Sequence, residues 1–311
     1  MHYRKLGKTG LDVSALAFGG SSLGGVFHDI DEPEAIRSVH VALDCGINLI
    51  DTAPYYGATR AETVLGKALR GVERERYYLA TKVARYGPEI PDFDFSAERV
   101  VRSVDESLQR LGVDYVDFIQ VHDMEFGHID QIVHETIPAL LKVRDAGKAR
   151  FVGITCLPVR LFKVVLDQVE VDQIQSYCHY CLNDTALAEL LPYLEAKGVG
   201  IFNSAPLAMR LLSDEGAPAW HPAPEALKQK CAEAARFCRA HGTDLGRLAL
   251  QFSLANPAIH TNVVGTASPC RVLENIRCAE EPLDQELLAE VLRILGPVHN
   301  VTWPSGRPEN N

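Results

Sequence analysis

The chain has no run of apolar residues long enough to cross a bilayer. Its opening, Met1-His2-Tyr3-Arg4-Lys5-Leu6-Gly7, lacks the apolar core of a signal peptide, which predicts a cytoplasmic protein. It also lacks an excess of basic charge: 31 Lys and Arg stand against 41 Asp and Glu, for a net charge of −10 at pH 7. That balance excludes a general binder of nucleic acid or of anionic membrane surfaces. No Gly-x-Gly-x-x-Gly follows a strand-like run, which argues against a doubly wound dinucleotide-binding sheet. Cys178-His179-Tyr180-Cys181 has no second ligand pair at comparable spacing, so no metal is expected. The eight Cys are read as free thiols, as suits the predicted compartment. With no internal repeat and no low-complexity linker, residues 1–311 are read as a single domain. No apolar stripe stands out for a subunit interface, and a monomer is expected.

What the sequence does contain is alternation. Short β-branched runs at residues 15–18, 47–51, 77–82, 115–121, 149–154, 171–177, 199–203 and 260–264 read as strands. Helical patterns at 61–69, 129–145, 159–167, 185–196, 225–241, 245–255, 269–278 and 285–295 separate or follow them. Another helix begins at the Ser96 cap, with Val100, Val104, Leu108 and Leu111 on its inner face. Strand–helix repetition implies parallel strands with helical crossovers, and about eight units is the number that closes a barrel. The predicted fold is therefore α/β, a (β/α)8 TIM barrel. Residues 3–14, with a Gly7-Lys8-Thr9-Gly10 turn, suggest an N-terminal hairpin plugging its bottom. Extra C-terminal helices and loops follow, and the Pro- and Gly-rich stretch at 204–224 is long enough for a functional lid.

Catalytic residues of such barrels sit at the C-terminal ends of strands. That rule selects Asp51, Lys82, His122 and Tyr177, each a polar residue closing an apolar run. Any one of them could simply mark where a strand stops. Three successive strands ending in Asp, Lys and His weaken that reading. Tyr56 follows Asp51 by five residues. A hydride-transfer enzyme needs a group that exchanges a proton with the substrate hydroxyl. A free Tyr has a pKa near about 10, and an adjacent Lys ammonium favours phenolate. A buried Lys needs an anion, which Asp51 supplies, and His122 can orient the substrate oxygen. A metal-dependent hydrolase built on His122, Asp123, His179 and His221 would leave Tyr56 and Lys82 unexplained.

Taken with Phe18-Gly19-Gly20, Asp51 to Gly57, Ala80-Thr81-Lys82, Val121-His122, Val152 to Thr155, Pro206-Leu207 and the run from Val264-Gly265 to Glu274-Asn275, the chain resembles the aldo-keto reductase superfamily from end to end. Within it the chain is most similar to the plant-type L-galactose dehydrogenase group, with the D-threo-aldose 1-dehydrogenases next. His122 to Gly127, Ser176 to Tyr180, Trp220-His221-Pro222 and the tail from Asn300 to Gly306 carry that similarity. The resemblance implies NAD(P)-dependent oxidation of an aldose at C1 to the aldonolactone, L-galactose giving L-galactono-1,4-lactone. Asp51, Tyr56, Lys82 and His122 would be the catalytic tetrad.

It also implies the cofactor site. Thr155 and Ser176 fall at the carboxamide, Ser204 at the nicotinamide face, and Ala205, Pro206, Leu207 and Met209 on the pyrophosphate side. Gly265, Ser268, Arg271, Glu274 and Asn275 fall along the adenosine, and Gly20, Ser21 and Asp51 complete the set. Gly265 stands where many NADP-preferring members carry Lys. NAD is therefore the expected cofactor, with NADP left open by Arg271. Substrate contacts are expected from Tyr55, Tyr56 and His122 and, more weakly, from Asp123, Phe27, His179 and Trp303, since a Trp in such a tail is more often a packing anchor than a sugar platform. Ser21, small where many members have Trp, leaves room for a sugar. A general NADPH-dependent carbonyl reductase and a non-catalytic nicotinamide-sensing module are the competing functions.

Overall fold

A computed structural model describes residues 1–26 and 29–311. The chain begins with an antiparallel hairpin, β1 (Tyr3–Lys5) and β2 (Asp12–Ser14). Eight parallel strands then close a barrel in sequence order: β3 (Leu16–Gly19), β4 (Leu49–Asp51), β5 (Tyr78–Val83), β6 (Val116–Val121), β7 (Ala149–Cys156), β8 (Gln173–Tyr177), β9 (Gly200–Ser204) and β10 (Thr261–Gly265). Closure comes from β10, which pairs with β9 on one side and β3 on the other.

Side chains alternate across a strand, so every second residue points into the barrel. Leu49, Ala80, Phe118 and Phe202 meet there in one apolar cluster with Ala17 and Val263. Leu6, Leu11 and Val13 of the hairpin join the same cluster, so the hairpin does cap the barrel bottom. It sits tightly. Lys8 N donates to Gly198 O at 2.6 Å. A Cβ on Gly7, whose φ is +47°, would lie 2.4 Å from Gly198 O. Two residues further along each strand the inward positions change character: Leu49 gives way to Asp51, Ala80 to Lys82, and Phe118 to Gln120 and then His122. The interior is therefore apolar at the bottom and polar at the top.

The outer layer consists of α1 (Glu32–Asp44), α2 (Arg60–Leu69), α3 (Ala97–Leu111), α4 (Ile129–Gln131), α5 (Ile137–Asp145), α6 (Arg160–Leu166), α7 (Leu191–Ala196), α8 (Glu225–Ala240), α9 (Leu245–Ala255), α10 (Pro269–Glu280) and α11 (Gln285–Leu295). Helix α1 goes unmarked in the sequence reading, although Asp31 caps it, accepting from Glu34 N at 2.8 Å. The Ser96 cap is as expected, accepting from Arg99 N at 3.4 Å. The predicted helix over 129–145 is interrupted by a π-helical turn, Ile132–Thr136. Pro138 has no N–H and its ring crowds the carbonyl a turn back, which the wider turn accommodates. The predicted helix over 185–196 begins as a 3-10 turn, Ala186–Leu190, and becomes α-helical only around Pro192.

The stretch from Ala205 to Pro224 holds neither helix nor strand. Ala205, Ala208, Met209 and Arg210 all have positive φ there. All eight Cys are free. Among the described residues no helix is long and apolar enough to cross a membrane, and no group of three or more His, Cys, Asp or Glu could hold a metal ion.

Candidate active site

The polar top of the barrel is organised around Asp51. Lys82 Nζ donates to its Oδ2 at 2.7 Å, Gln120 Nε2 to Oδ1 at 3.0 Å, and Gln175 Nε2 to Oδ2 at 3.2 Å. Lys82 also donates to Thr52 O at 2.8 Å and to Tyr56 Oη at 3.3 Å. The ammonium and the carboxylate are both buried, at 1% and 3% side-chain exposure. A desolvated ion pair is tolerated only when its remaining lone pairs and protons find partners. The two glutamines and Thr52 O provide them.

Tyr56 reaches this pair from the turn after β4. The turn is pinned by backbone contact: a Cβ on Gly57, at φ +63°, would lie 2.0 Å from Gly24 O. His122 follows β6, its N–H donating to Val83 O at 3.0 Å. Its ring stands edge-on to Tyr56, with centroids 5.7 Å apart, and to Tyr55 at 5.9 Å. The structure thus brings Asp51, Tyr55, Tyr56, Lys82 and His122 together.

Burial sets the protonation states. Burial works against the Lys82 ammonium, but Asp51 and then Tyr56 more than offset it, and the Lys82 pKa is raised. For Tyr56 the outcome reverses the sequence expectation. Burial raises the phenol pKa, Lys82 lowers it, Asp51 and Asp123 raise it again, and it is pushed up to about 12. Lys82 acts in the expected direction and is outweighed. Tyr56 therefore rests as a phenol. Burial brings His122 down to about 3, with Lys82 and Arg85 assisting against Asp123, so the imidazole is neutral near pH 7.

Between the ordinary His pKa of about 6.5 and about 3, unfolded chains take up a proton that folded His122 refuses. His122 therefore costs stability as pH falls through that window and nothing above it. Urea unfolding from pH 7 to pH 4 should show a steeper loss for the wild type than for His122→Gln. Equal slopes would show that His122 is not held neutral.

Beside this group lies a cleft of about 920 Å³ between α1, the loop after β9, α9 and the start of α10. Leu207, Gly265, Ser268, Arg271, Glu274 and Asn275, all expected along the cofactor, line it. Ser21 borders it, since a Cβ on Gly265 would lie 2.9 Å from Ser21 Oγ. Gly20 packs on β4, where a Cβ would lie 3.0 Å from Asp51 O. Ser204 Oγ accepts from Gln175 Nε2 at 2.6 Å, and Thr155 Oγ1 accepts from Asp123 N at 2.9 Å. Ala205, Pro206 and Met209 follow β9 in the positive-φ loop without lining the cleft. Ser176 needs correcting. Strand alternation puts it on the face opposite Gln175, and Gln175 is the residue that reaches Asp51. Trp303 is buried at 8% exposure, edge-on to His221 at 5.1 Å, in the cluster beneath the loop. His179 is buried too, its Nδ1 3.1 Å from Asp184 Oδ2. Phe27 lies outside the described residues.

The cleft suits a dinucleotide. Its size falls in the range of about 300–1,000 Å³ usual for ligand sites. At its edge two backbones approach closely: a Cβ on Gly19 would lie 2.9 Å from the N of Gly265, which lines the cleft. Thr52 Oγ1 and Gln175 Oε1, on residues that meet Lys82 and Asp51, are buried without a hydrogen-bond partner.

Residues 15–295 match the Aldo/keto reductase family. The chain belongs to that family. It is 51% identical to the L-galactose dehydrogenase of Arabidopsis thaliana over 99% of this chain and 98% of the relative. It is 29% identical to the D-threo-aldose 1-dehydrogenase of a Pseudomonas species, over 91% of this chain and 94% of the relative. Among solved structures it resembles an aldo-keto reductase from Bacillus halodurans in its holo form, with a TM-score of 0.80 and 29% identity over 98% of both chains. Aldo-keto reductases are oxidoreductases that use NAD(P)(H), and the barrel described above is their fold.

Sequence reasoning missed Gln120, Gln175 and Arg85. A signal for Gln120 was available, since it is polar at the inward position next above Phe118, whereas Gln175 does not stand out in a strand as polar as Gln173-Ile174-Gln175-Ser176-Tyr177. Arg85 is placed by a backbone turn that no local pattern announces.

Proposed function

We propose that this aldo-keto reductase oxidises an aldose at C1 to the aldonolactone, with L-galactose as substrate and NAD as cofactor. The 51% identity to an L-galactose dehydrogenase over nearly the whole chain carries this reading. The buried Tyr56–Lys82–Asp51 relay beside a neutral His122 supports it. Asp51, Tyr56, Lys82 and His122 are the catalytic residues. When bound, the nicotinamide accepts the hydride from C1. Tyr56 Oη takes the anomeric hydroxyl proton. Lys82 stabilises the phenolate that this requires, and Asp51 holds Lys82 in place. His122 Nδ1 is buried without a partner, so Nε2 is the atom left to orient the substrate oxygen.

The cleft residues named above would hold the nucleotide. Its charges favour NAD. Glu34, Glu215 and Glu274 line it, Arg271 is paired with Glu274 at 3.1 Å, and Arg210 is paired with Glu215. A 2′-phosphate would meet carboxylates, and cations already engaged with them. The enzyme acts as a cytoplasmic monomer in this reading, with residues 1–311 as one domain.

The test is absorbance at the reduced-nicotinamide band, with L-galactose, L-fucose, L-glucose and D-galactose each offered with NAD and with NADP. Growth with L-galactose and NAD is expected. Aldehyde reduction by NADPH alone would replace this reading with a carbonyl reductase. Nucleotide binding without turnover would replace it with a sensor.

A further inference from the structure

Next to the catalytic group stands a second polar cluster, built by the loops after β5 and β6. Ala84, just beyond β5, has φ +80°, and Asp123, just beyond β6, has φ +47°. Neither is Gly, and L-residues seldom adopt this left-handed conformation. These turns flank Arg85 and Asp123, which meet as an ion pair, Arg85 Nη1 donating to Asp123 Oδ2. The guanidinium is held in place, 3.7 Å from the Tyr55 ring centroid and 5.2 Å from that of Phe93. The Asp123 backbone is held as well, its N–H donating to Thr155 Oγ1 at 2.9 Å. Both side chains are largely buried, at 18% and 6% exposure. Strained backbone, a stacked guanidinium and a desolvated carboxylate are costly features, and such features gather at binding sites.

The position of the pair gives it a role. His122 Nε2 lies 3.8 Å from Asp123 Oδ2. That gap is too wide for a direct hydrogen bond and is one that an intervening oxygen can bridge. His122 Nε2 is the atom that orients the reacting oxygen in the proposed reaction. Asp123 Oδ2 is therefore about one hydroxyl away from the reacting centre.

We propose that the Arg85–Asp123 pair determines specificity by binding the hydroxyl on the carbon next to the reacting carbon, the C2 hydroxyl of the aldose. This rests on the aldose 1-dehydrogenase reading and deepens it. The C2 hydroxyl donates to the Asp123 carboxylate and accepts from the Arg85 guanidinium. The anomeric hydroxyl beside it faces Tyr56 and His122. A substrate without the C2 hydroxyl leaves a charged pair desolvated and incompletely bonded, which is the strongest basis for rejecting an analogue.

The experiment measures kcat and KM for L-galactose, its 2-deoxy analogue and its 6-deoxy analogue, L-fucose. The proteins compared are wild type, Arg85→Met, Arg85→Lys and Asp123→Asn. Arg85→Met keeps a long unbranched side chain and removes the guanidinium that stacks on Tyr55, and Arg85→Lys keeps the charge. The wild type should use the 2-deoxy sugar about 10- to 100-fold less efficiently than L-galactose. In Arg85→Met and Asp123→Asn, L-galactose should fall to nearly the level of the 2-deoxy sugar, mainly through KM. The 2-deoxy sugar should fall far less, L-fucose should track L-galactose, and Arg85→Lys should be intermediate. Equal losses for L-galactose and the 2-deoxy sugar would reduce the pair to a support for Tyr55 and His122 and overturn the proposal. So would a wild type indifferent to the C2 hydroxyl. A wild type inactive with every aldose would fail earlier, at the functional reading itself, and would take this proposal with it.

Discussion

Tyr56→Phe should lower kcat by about 100- to 10,000-fold, the contribution usual for a positioned acid–base group, while nucleotide binding stays intact. The substitution removes one oxygen and no ring atoms. The ring can keep its edge-on contact with His122. Lys82 loses a partner at 3.3 Å but retains Asp51 and Thr52 O. The fold is therefore spared and the proton acceptor is gone. Initial rates at the reduced-nicotinamide band measure the first effect, and quenching of protein fluorescence by reduced nucleotide measures the second. The pH profile adds a signature. With its phenol pushed up to about 12, wild-type Tyr56 is almost wholly protonated near neutrality, and the rate of oxidation should climb with pH as phenolate forms. In Tyr56→Phe that climb should disappear. A fall of less than about tenfold, outside the range for such a group, would remove Tyr56 from its role.

Lys82→Met should cost about 3–5 kcal/mol of stability as well as activity, the range found when one partner of a buried ion pair is removed. Asp51 is 2% exposed, and Gln120 and Gln175 do not neutralise its charge. The loss should appear as a lower urea midpoint with an unchanged slope. The double variant Lys82→Met with Asp51→Leu separates the two effects. Without any buried charge, it should regain most of the stability and none of the activity. A single variant as stable as the wild type would mean that the pair is hydrated. A double variant no more stable than the single would mean that packing, and not charge, is what Lys82 provides.

Much of the site was legible in the sequence because it lies where strands end. Asp51, Lys82 and His122 close or follow apolar runs, and period-two alternation puts Asp51 and Lys82 on the inward face above Leu49 and Ala80. The eight strands fall within two residues of their expected bounds at either end, since β-branched runs and flanking helices mark them clearly. Helix α1 lies outside the expected elements although Asp31 caps it and Ala35, Val39, Ala42 and Leu43 form its buried stripe. The helices over 129–145 and 185–196 changed type near Pro138 and Pro192, where a missing N–H mattered more than apolar periodicity.

The sequence by itself determined the alternation, and with it a parallel barrel whose polar residues collect at one end. It also determined the residue types from which the proposed proton relay is built. Only the tertiary structure decided which of them touch. Lys82, Gln120 and Gln175 stand 31, 69 and 124 residues from Asp51, and closure of the barrel brings all three to its carboxylate. The structure also decided the sign of the Tyr56 shift. A neighbouring ammonium can be read from sequence, whereas the depth at which the phenol is buried is a property of the closed fold, and here burial outweighs charge.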